Sequence, residues 1–220
     1  MQRFDRTLIP PSPDLSFELP LWQEGCLVAG LDEAGRGAWA GPVTAAAVIL
    51  PCDPDVLAKL NGVRDSKELS PLERARLAEI IRGTAAAWGV GLASQEEIGE
   101  YGILAATRLA MARALQELVA APQVLLLDAL FLPEEPLPQI ALVKGDQRSL
   151  TIAAASILAK TARDTWMINA AREFPGYGFE RHKGYGTKLH QGALAAHGPC
   201  TLHRKTFAPI RLLRQTKTQE

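Results

Sequence analysis

The chain has 220 residues, 47% hydrophobic and 22% charged, which is the composition of an ordinary globular domain able to bury an enzyme-sized core. No apolar run is long enough to span a bilayer, and no basic segment followed by an apolar stretch and cleavage site opens the chain, so a soluble, cytoplasmic protein is expected. The 24 basic and 24 acidic residues cancel, which argues against indiscriminate polyanion binding, and three scattered cysteines fit neither a disulfide scaffold nor a zinc cluster.

In chain order, residues 1–26 hold Pro10, Pro11, Pro13 and Pro20 with little periodicity and read as an extended arm. A first strand is expected at 27–31, running into Asp32 and Glu33. A loop with Gly35, Gly37 and Gly41 then joins it to an antiparallel second strand at 42–50. A short helical piece at 56–60 and the polar loop Arg64-Asp65-Ser66-Lys67 follow. Ser70-Pro71-Leu72-Glu73 supplies an N-cap, a first-turn proline and an acid, starting a helix to Gly83 with Leu72, Leu77, Ile80 and Ile81 as its apolar face.

A third strand is expected at 88–93. The segment 96–119 has Ile98, Leu104, Leu109, Leu115 and Leu118 among alanines and is long enough to favour a helix, although Gly99 and Gly102 weaken its start. Residues 124–128 form a further apolar run ending in Asp128, 140–143 a fifth strand leading into Lys144-Gly145-Asp146, and 149–173 a long helix with Leu150, Ile157, Leu158, Trp166 and Ile168. Three strands followed by alternating helix and strand describe an α/β fold, a mixed sheet with helices on its faces. From Pro175 to Lys217 the bases are Arg181, Lys183, Lys188, Arg204, Lys205, Arg211, Arg214 and Lys217, with Glu180 the one acid. Such a face fits a phosphate-rich ligand, and equally a solvated tail.

Asp32, Asp128 and Asp146 each close an apolar run, and ligands in open sheets gather at the ends of parallel strands. Burying an unpaired carboxylate costs several kcal/mol, so acids placed here need a partner. An all-oxygen set with Glu33 beside it suits Mg²⁺ or Mn²⁺ better than zinc, while each acid alone also fits a strand or helix cap. The glycine loop lacks the Lys-Ser or Lys-Thr of a phosphate-binding P-loop and enters a β-branched segment where a dinucleotide fingerprint would enter a helix. What remains is a tight turn whose amides can approach a phosphate or ribose, with Arg36 as a further donor, or else a plain hairpin.

DEAGRG followed by AGP, DSK at 65–67, LLLDAL around Asp128, KGDQRSLTIAAASILAKTARD from Lys144, YGFERHKGYGT from Tyr177 and HRKTFAP from His203 together resemble bacterial ribonuclease HII, the type 2 ribonuclease H family. The motifs stand in family order over 27–213. The resemblance implies an RNase H-like fold, a five-stranded mixed sheet flanked by helices with a C-terminal helical extension. It divides the chain into an arm (1–26), a catalytic domain (27–213) and a flexible tail (214–220). It further implies endonucleolytic cleavage of RNA in RNA/DNA hybrids and 5′ of single ribonucleotides in duplex DNA, by a monomer. Asp32, Glu33, Asp128 and Asp146 would hold two divalent cations, Mn²⁺ or Mg²⁺, about 4 Å apart, that activate water for in-line attack.

By the same resemblance Gly35, Arg36, Gly37 and Tyr185 would sense the ribose 2′-hydroxyl, and Lys67, Lys144, Arg163 and Lys183 would contact phosphates. The chain departs from the family pattern at Ala38 and Trp39, where proline and leucine are usual, and at Ala129, where glycine is usual. The type 3 ribonucleases H, a sister group, carry an N-terminal substrate-binding domain, and the stretch before Leu27 is expected to be too short for one. A catalytically silent nucleic-acid binder would gain nothing from four acids facing phosphates.

Overall fold

A computed structural model describes residues 4–216. Its centre is a five-stranded sheet of order β3-β2-β1-β4-β5, with β1 Val28–Ala34, β2 Val43–Ile49, β3 Ala87–Ala93, β4 Val124–Asp128 and β5 Gln139–Leu142. β1 pairs antiparallel with β2, and β2 with β3, whereas β4 runs parallel to β1 and β5 parallel to β4. Helices α1 (Glu18–Gln23), α2 (Val56–Lys59), α3 (Pro71–Thr84), α4 (Gln95–Gln116), α5 (Leu150–Glu173), α6 (Phe179–His182), α7 (Lys188–His197) and α8 (Ala208–Thr216) complete it. No helix of the described residues is long and apolar enough to cross a membrane.

Every residue of β2 is buried because helices cover both faces of the sheet. Ala46 and Val48 face α3 and α5, joining Leu77, Ile81, Ile157 and Leu158 in one cluster. Their alternates Ala45, Ala47 and Ile49 face α4, with Leu31, Leu125 and Leu127 in a second cluster. α3 begins as expected, with a capping box between Ser70 and Glu73.

Several expectations change. β1 runs on through Asp32 and Glu33 to Ala34, since pairing with Ala46 and Ala45 of β2 continues past the apolar run. The arm is folded rather than extended: α1 lies within it, and Phe17, Leu19 and Trp22 pack against the core. α4 is broken at Gly102 (φ 79°, ψ 161°), and its buried contact face is Ile98, Ala106, Ala110, Met111 and Ala114, with Leu109 and Leu115 partly buried against the same cluster. The alanines are accounted for by what lies beneath: a Cβ on Gly89 or Gly91 of β3 would strike the carbonyl oxygens of Ala114 or Ala110, so the helix approaches backbone to backbone, with Leu109 and Leu115 packing partly buried beside the contact. Leu72, Leu104 and Ile168, expected on apolar faces, are exposed. Finally, residues 214–216 end α8 as helix, and 217–220 lie outside the described residues.

α5 crosses β1 as closely as α4 crosses β3. A Cβ on Gly30 would lie 2.5 Å from the carbonyl carbon of Thr151. Gly30→Ala must therefore move α5 off the sheet, an overpacking expected to cost about 1–3 kcal/mol. Thermal unfolding should show a midpoint lower by roughly 2–4 °C per kcal/mol.

Candidate active site

The parallel pairing of β1 with β4 puts Leu31 beside Leu127, so Asp32 and Asp128 follow one residue further along two adjacent strands. Both have the parity of Gly30 and Leu126, whose side of the sheet meets α5. Asp146 joins them from the turn before α5, and one oxygen of each of the three lies within 4.8 Å of the others. Glu33 has the opposite parity. Its Oε1 accepts from Arg36 at 3.1 Å, while its buried Oε2 has no partner.

Few donors face this cluster. Asp32 Oδ1 accepts the backbone N–H of Glu33 (2.7 Å), Asp128 Oδ1 that of Gly145 (2.8 Å), and Lys67 Nζ reaches Asp146 Oδ2 at 3.3 Å. Asp146 Oδ1 is buried with nothing to bond. Burial raises the Asp32 carboxyl well above its ordinary range, helped by the charges of Glu33, Asp128 and Asp146. Burial likewise raises Glu33, against the pull of Arg36, and raises Asp128 and Asp146. For the Lys67 ammonium burial acts downward, but Asp146, Asp65 and Asp32 outweigh it and raise it. Orphaned buried oxygens in an all-carboxylate set fit a hard divalent cation, which would remove the repulsion that burial creates.

Beside the acids the glycine loop is held from underneath. Gly35 has φ +95°, a region open to glycine, and a Cβ there would strike the Arg163 guanidinium. Arg163, on α5, is fully buried and donates to the carbonyls of Pro42 (2.9 Å), Ala40 (3.1 Å) and Lys183 (3.0 Å). Arg204 is also fully buried and donates to Gly41 (2.9 Å), Arg36 (2.9 Å) and Pro42 (3.0 Å). Burial, then the nearby Arg163 cation, pulls its guanidinium down to about 9, which leaves it charged at neutral pH. The Trp39 backbone donates its N–H to the Gly184 carbonyl and accepts the Arg204 N–H, both at 2.8 Å. Arg36 and Gly37 at the loop's tip are left exposed.

Arg163 does not face a phosphate as the resemblance suggested, because it is fully buried and each of its three nitrogens donates to a carbonyl. It supports the tyrosine instead: its Cζ lies 5.3 Å from the Tyr185 ring centre and Lys160 Nζ 5.5 Å. Tyr185 thus stands next to the Gly-Arg-Gly turn. Lys67 lies at the acids and Lys144 is exposed in a left-handed conformation (φ 60°). Lys183, also left-handed (φ 52°), turns its ammonium back on the Glu180 carbonyl.

Two residues with work at the site escaped the sequence reading. Asp65 is buried beside the cluster, bonded to Lys67 N–H (3.0 Å) and Gln147 Nε2 (3.2 Å), and its only signal was its place in the DSK motif. Arg204 had its place in HRKTFAP and in the basic run 175–217, and neither marks it as buried.

Behind Tyr185, His182 and His190 stack at 4.4 Å and His190 Nε2 meets His203 Nε2 at 3.0 Å. Their partners fix the protons: His190 Nδ1–H donates to the Tyr185 carbonyl, so His203 Nε2–H donates to His190, and His203 Nδ1 accepts Cys200 N–H at 2.9 Å. The network is complete with all rings neutral. Burial lowers His182 and brings His190 and His203 down to about 4.

The sheet and its acid-bearing strand ends define the class. The ribonuclease H2 structure from Pyrococcus horikoshii OT3 superposes with a TM-score of 0.72 at 24% identity, covering 88% of this chain and 99% of that one, so the fold is RNase H-like. Ribonuclease HII of Thermus thermophilus is 53% identical over 193 residues (88% of this chain, 92% of the relative), and that of Chloroflexus aurantiacus 54% identical over 203 residues (90% and 94%). The ribonuclease HII family model matches residues 29–210, and the chain belongs to that family of ribonucleases H.

Two measurements check this geometry. Arg204→Met should strand the carbonyls of Arg36 and Gly41, at about 1–3 kcal/mol for each unsatisfied group, and lower the urea midpoint accordingly. In NMR titrations the ring signals of His190 and His203 should stay in their neutral positions until about pH 4. The unfolded chain takes up those protons near the ordinary histidine value. The pair therefore lowers stability as pH falls from about 6.5 toward 4 and has no effect above.

Proposed function

We propose that this ribonuclease H is a divalent-metal-dependent endonuclease that hydrolyses the RNA strand of RNA/DNA hybrids. It also cuts on the 5′ side of a single ribonucleotide embedded in duplex DNA, leaving 5′-phosphate and 3′-hydroxyl ends. Its roles would be ribonucleotide excision and primer removal. The observation that carries the reading is the convergence of Asp32, Asp128 and Asp146 within 4.8 Å at the strand ends, beside a glycine turn pinned from below.

Asp32, Glu33, Asp128 and Asp146 would hold two ions, Mn²⁺ or Mg²⁺. Bound there, the ions supply activated water for in-line attack on phosphorus and stabilisation of the leaving 3′-oxygen. The protein's own share is positional. Gly145 N–H orients Asp128, and Glu33 N–H orients Asp32. Lys67 supplies a positive charge at the cluster edge, where a phosphate would approach. Gly35, Arg36 and Gly37 would offer backbone groups to the ribose, and Tyr185 would supply a hydroxyl for the 2′-OH and a ring for the adjoining sugar. Lys144 and Lys183 would steady flanking phosphates.

The decisive assay offers the protein a duplex with one ribonucleotide, with Mn²⁺. The parent should cut it, and Asp128→Asn should lose at least a hundredfold in rate; no cutting by the parent, or undiminished cutting by the variant, rejects the reading. The same Asp128→Asn protein in EDTA should melt higher than the parent, because it removes one of several crowded carboxylates while its Oδ1 still accepts Gly145 N–H. Tyr185→Phe should lose activity on the single ribonucleotide, and full retention would remove the hydroxyl from the sensing role.

A further inference from the structure

The N-terminal arm lies outside the matched family model, which begins at residue 29, and the one buried charge among its described residues has no role in the reading above. Glu18, the first residue of α1, is fully buried. Its Oε1 accepts from Ser149 Oγ at 2.6 Å and from Thr151 N–H at 3.0 Å. Ser149 is the N-cap of α5, bonding Ile152 N–H at 3.2 Å. A carboxylate here satisfies a free helix N–H and complements the positive end of the helix dipole.

That helix end is also one end of the turn carrying the acids. Residues 145–149 close on themselves, with Arg148 N–H bonded to Gly145 O at 3.0 Å and Ser149 N–H to the same oxygen at 2.9 Å. Asp146 sits inside this turn, and Gly145 at its start donates to Asp128. The arm grips the far side at every successive residue: Asp14 N–H donates to Arg148 O (3.2 Å), Leu150 N–H donates to Asp14 O (2.8 Å), and the Arg148 guanidinium lies 4.9 Å from the Phe17 ring centre. One clamp thereby holds the turn that carries Asp146 and, through the Gly145 N–H, orients Asp128.

We propose that Glu18 is a positioning residue for the metal centre: it locks the 145–149 turn to α5 and so sets where Asp146 and the Gly145-oriented Asp128 converge. This rests on the assignment of those two acids as metal ligands. Metal sites lose about 10–100-fold in affinity when residues that orient their ligands are removed, and the same is expected here.

Mn²⁺ binding measured by isothermal titration on the full chain, without substrate, tests it. Glu18→Ala should weaken Mn²⁺ binding about tenfold or more. At saturating Mn²⁺ its cleavage rate should recover, with KM for a hybrid duplex unchanged. Glu18→Gln, whose amide oxygen can accept the same two bonds, should bind like the parent. If Glu18→Ala does not fold by circular dichroism, Glu18→Asp, shorter by one methylene, should show the same weakening. A folded Ala or Asp variant with parental Mn²⁺ affinity overturns the inference, even if it melts lower, and so does a Gln variant as weak as Ala. A parent that binds no Mn²⁺ would defeat the ligand assignment itself, and the inference with it.

Discussion

Two guanidinium groups buried without any carboxylate carry much of this structure. Arg163 and Arg204 form no ion pair among the described residues, and an uncompensated charge in a protein interior is expensive. Their compensation is six hydrogen bonds to carbonyl oxygens, five of them on residues 36–42. Bonds to a charged donor contribute about 1.5–3 kcal/mol each, so together they offset a cost that a single pair would not. The fixed planar fork of arginine is suited to this, since it offers several donors in set directions where a lysine offers one rotating point charge. The result is a loop with its carbonyls drawn inward and its tip held outward. Burial of two charges is what leaves Arg36 and Gly37 facing solvent beside the acids.

α5 distributes that order across the site. From one end to the other it presents Ser149 to Glu18, Thr151 to Gly30, Ser156 to Ser66 of the DSK loop (2.9 Å), and Arg163 to the glycine loop. Asp164 adds Arg74, which itself binds the carbonyls of Ser66 and Leu69. Each of these contacts fixes a segment carrying one part of the site, so their spacing follows from the rise of a single helix. The close crossing at Gly30, two residues before Asp32, places that rigid axis against the central strand. The acids then remain close together despite mutual repulsion because the strands and helix bearing them cannot yield separately.

What the sequence revealed follows the same physics. Asp32, Asp128 and Asp146 were legible because an acid ending an apolar run is a local signal, and parallel pairing brings such ends together. Glu33 belonged to the same motif, but its opposite parity on β1 became visible only once the strand was seen to continue to Ala34. Arg163 and Arg204 were unreadable as buried groups: arginine is ordinarily a surface residue, and acceptors supplied by backbone carbonyls leave no mark on composition or spacing. Glu18 was hidden for a related reason, since its partner Ser149 lies 131 residues away and an acid in an aperiodic, proline-rich stretch suggests an arm. The alanine face of α4 is present in the sequence, but its meaning lies in Gly89 and Gly91 of another element, which admit the helix backbone at that point.

The departures from the family pattern can be weighed on these grounds. Where proline would stiffen the loop covalently, Ala38 is fully buried and Trp39 is bonded on both sides, to Gly184 and to Arg204. A Cβ on Gly186 would run into the Trp39 indole, so the ring packs closely against the backbone that follows Tyr185. Proline limits a backbone through its own ring and needs no neighbour, whereas here the limit is imposed by α5 and the C-terminal segment together. Loop and tyrosine are consequently fixed to each other through shared partners, Arg163 and Gly184, rather than each to the sheet. Any shift of the C-terminal segment would therefore move the glycine loop and Tyr185 together.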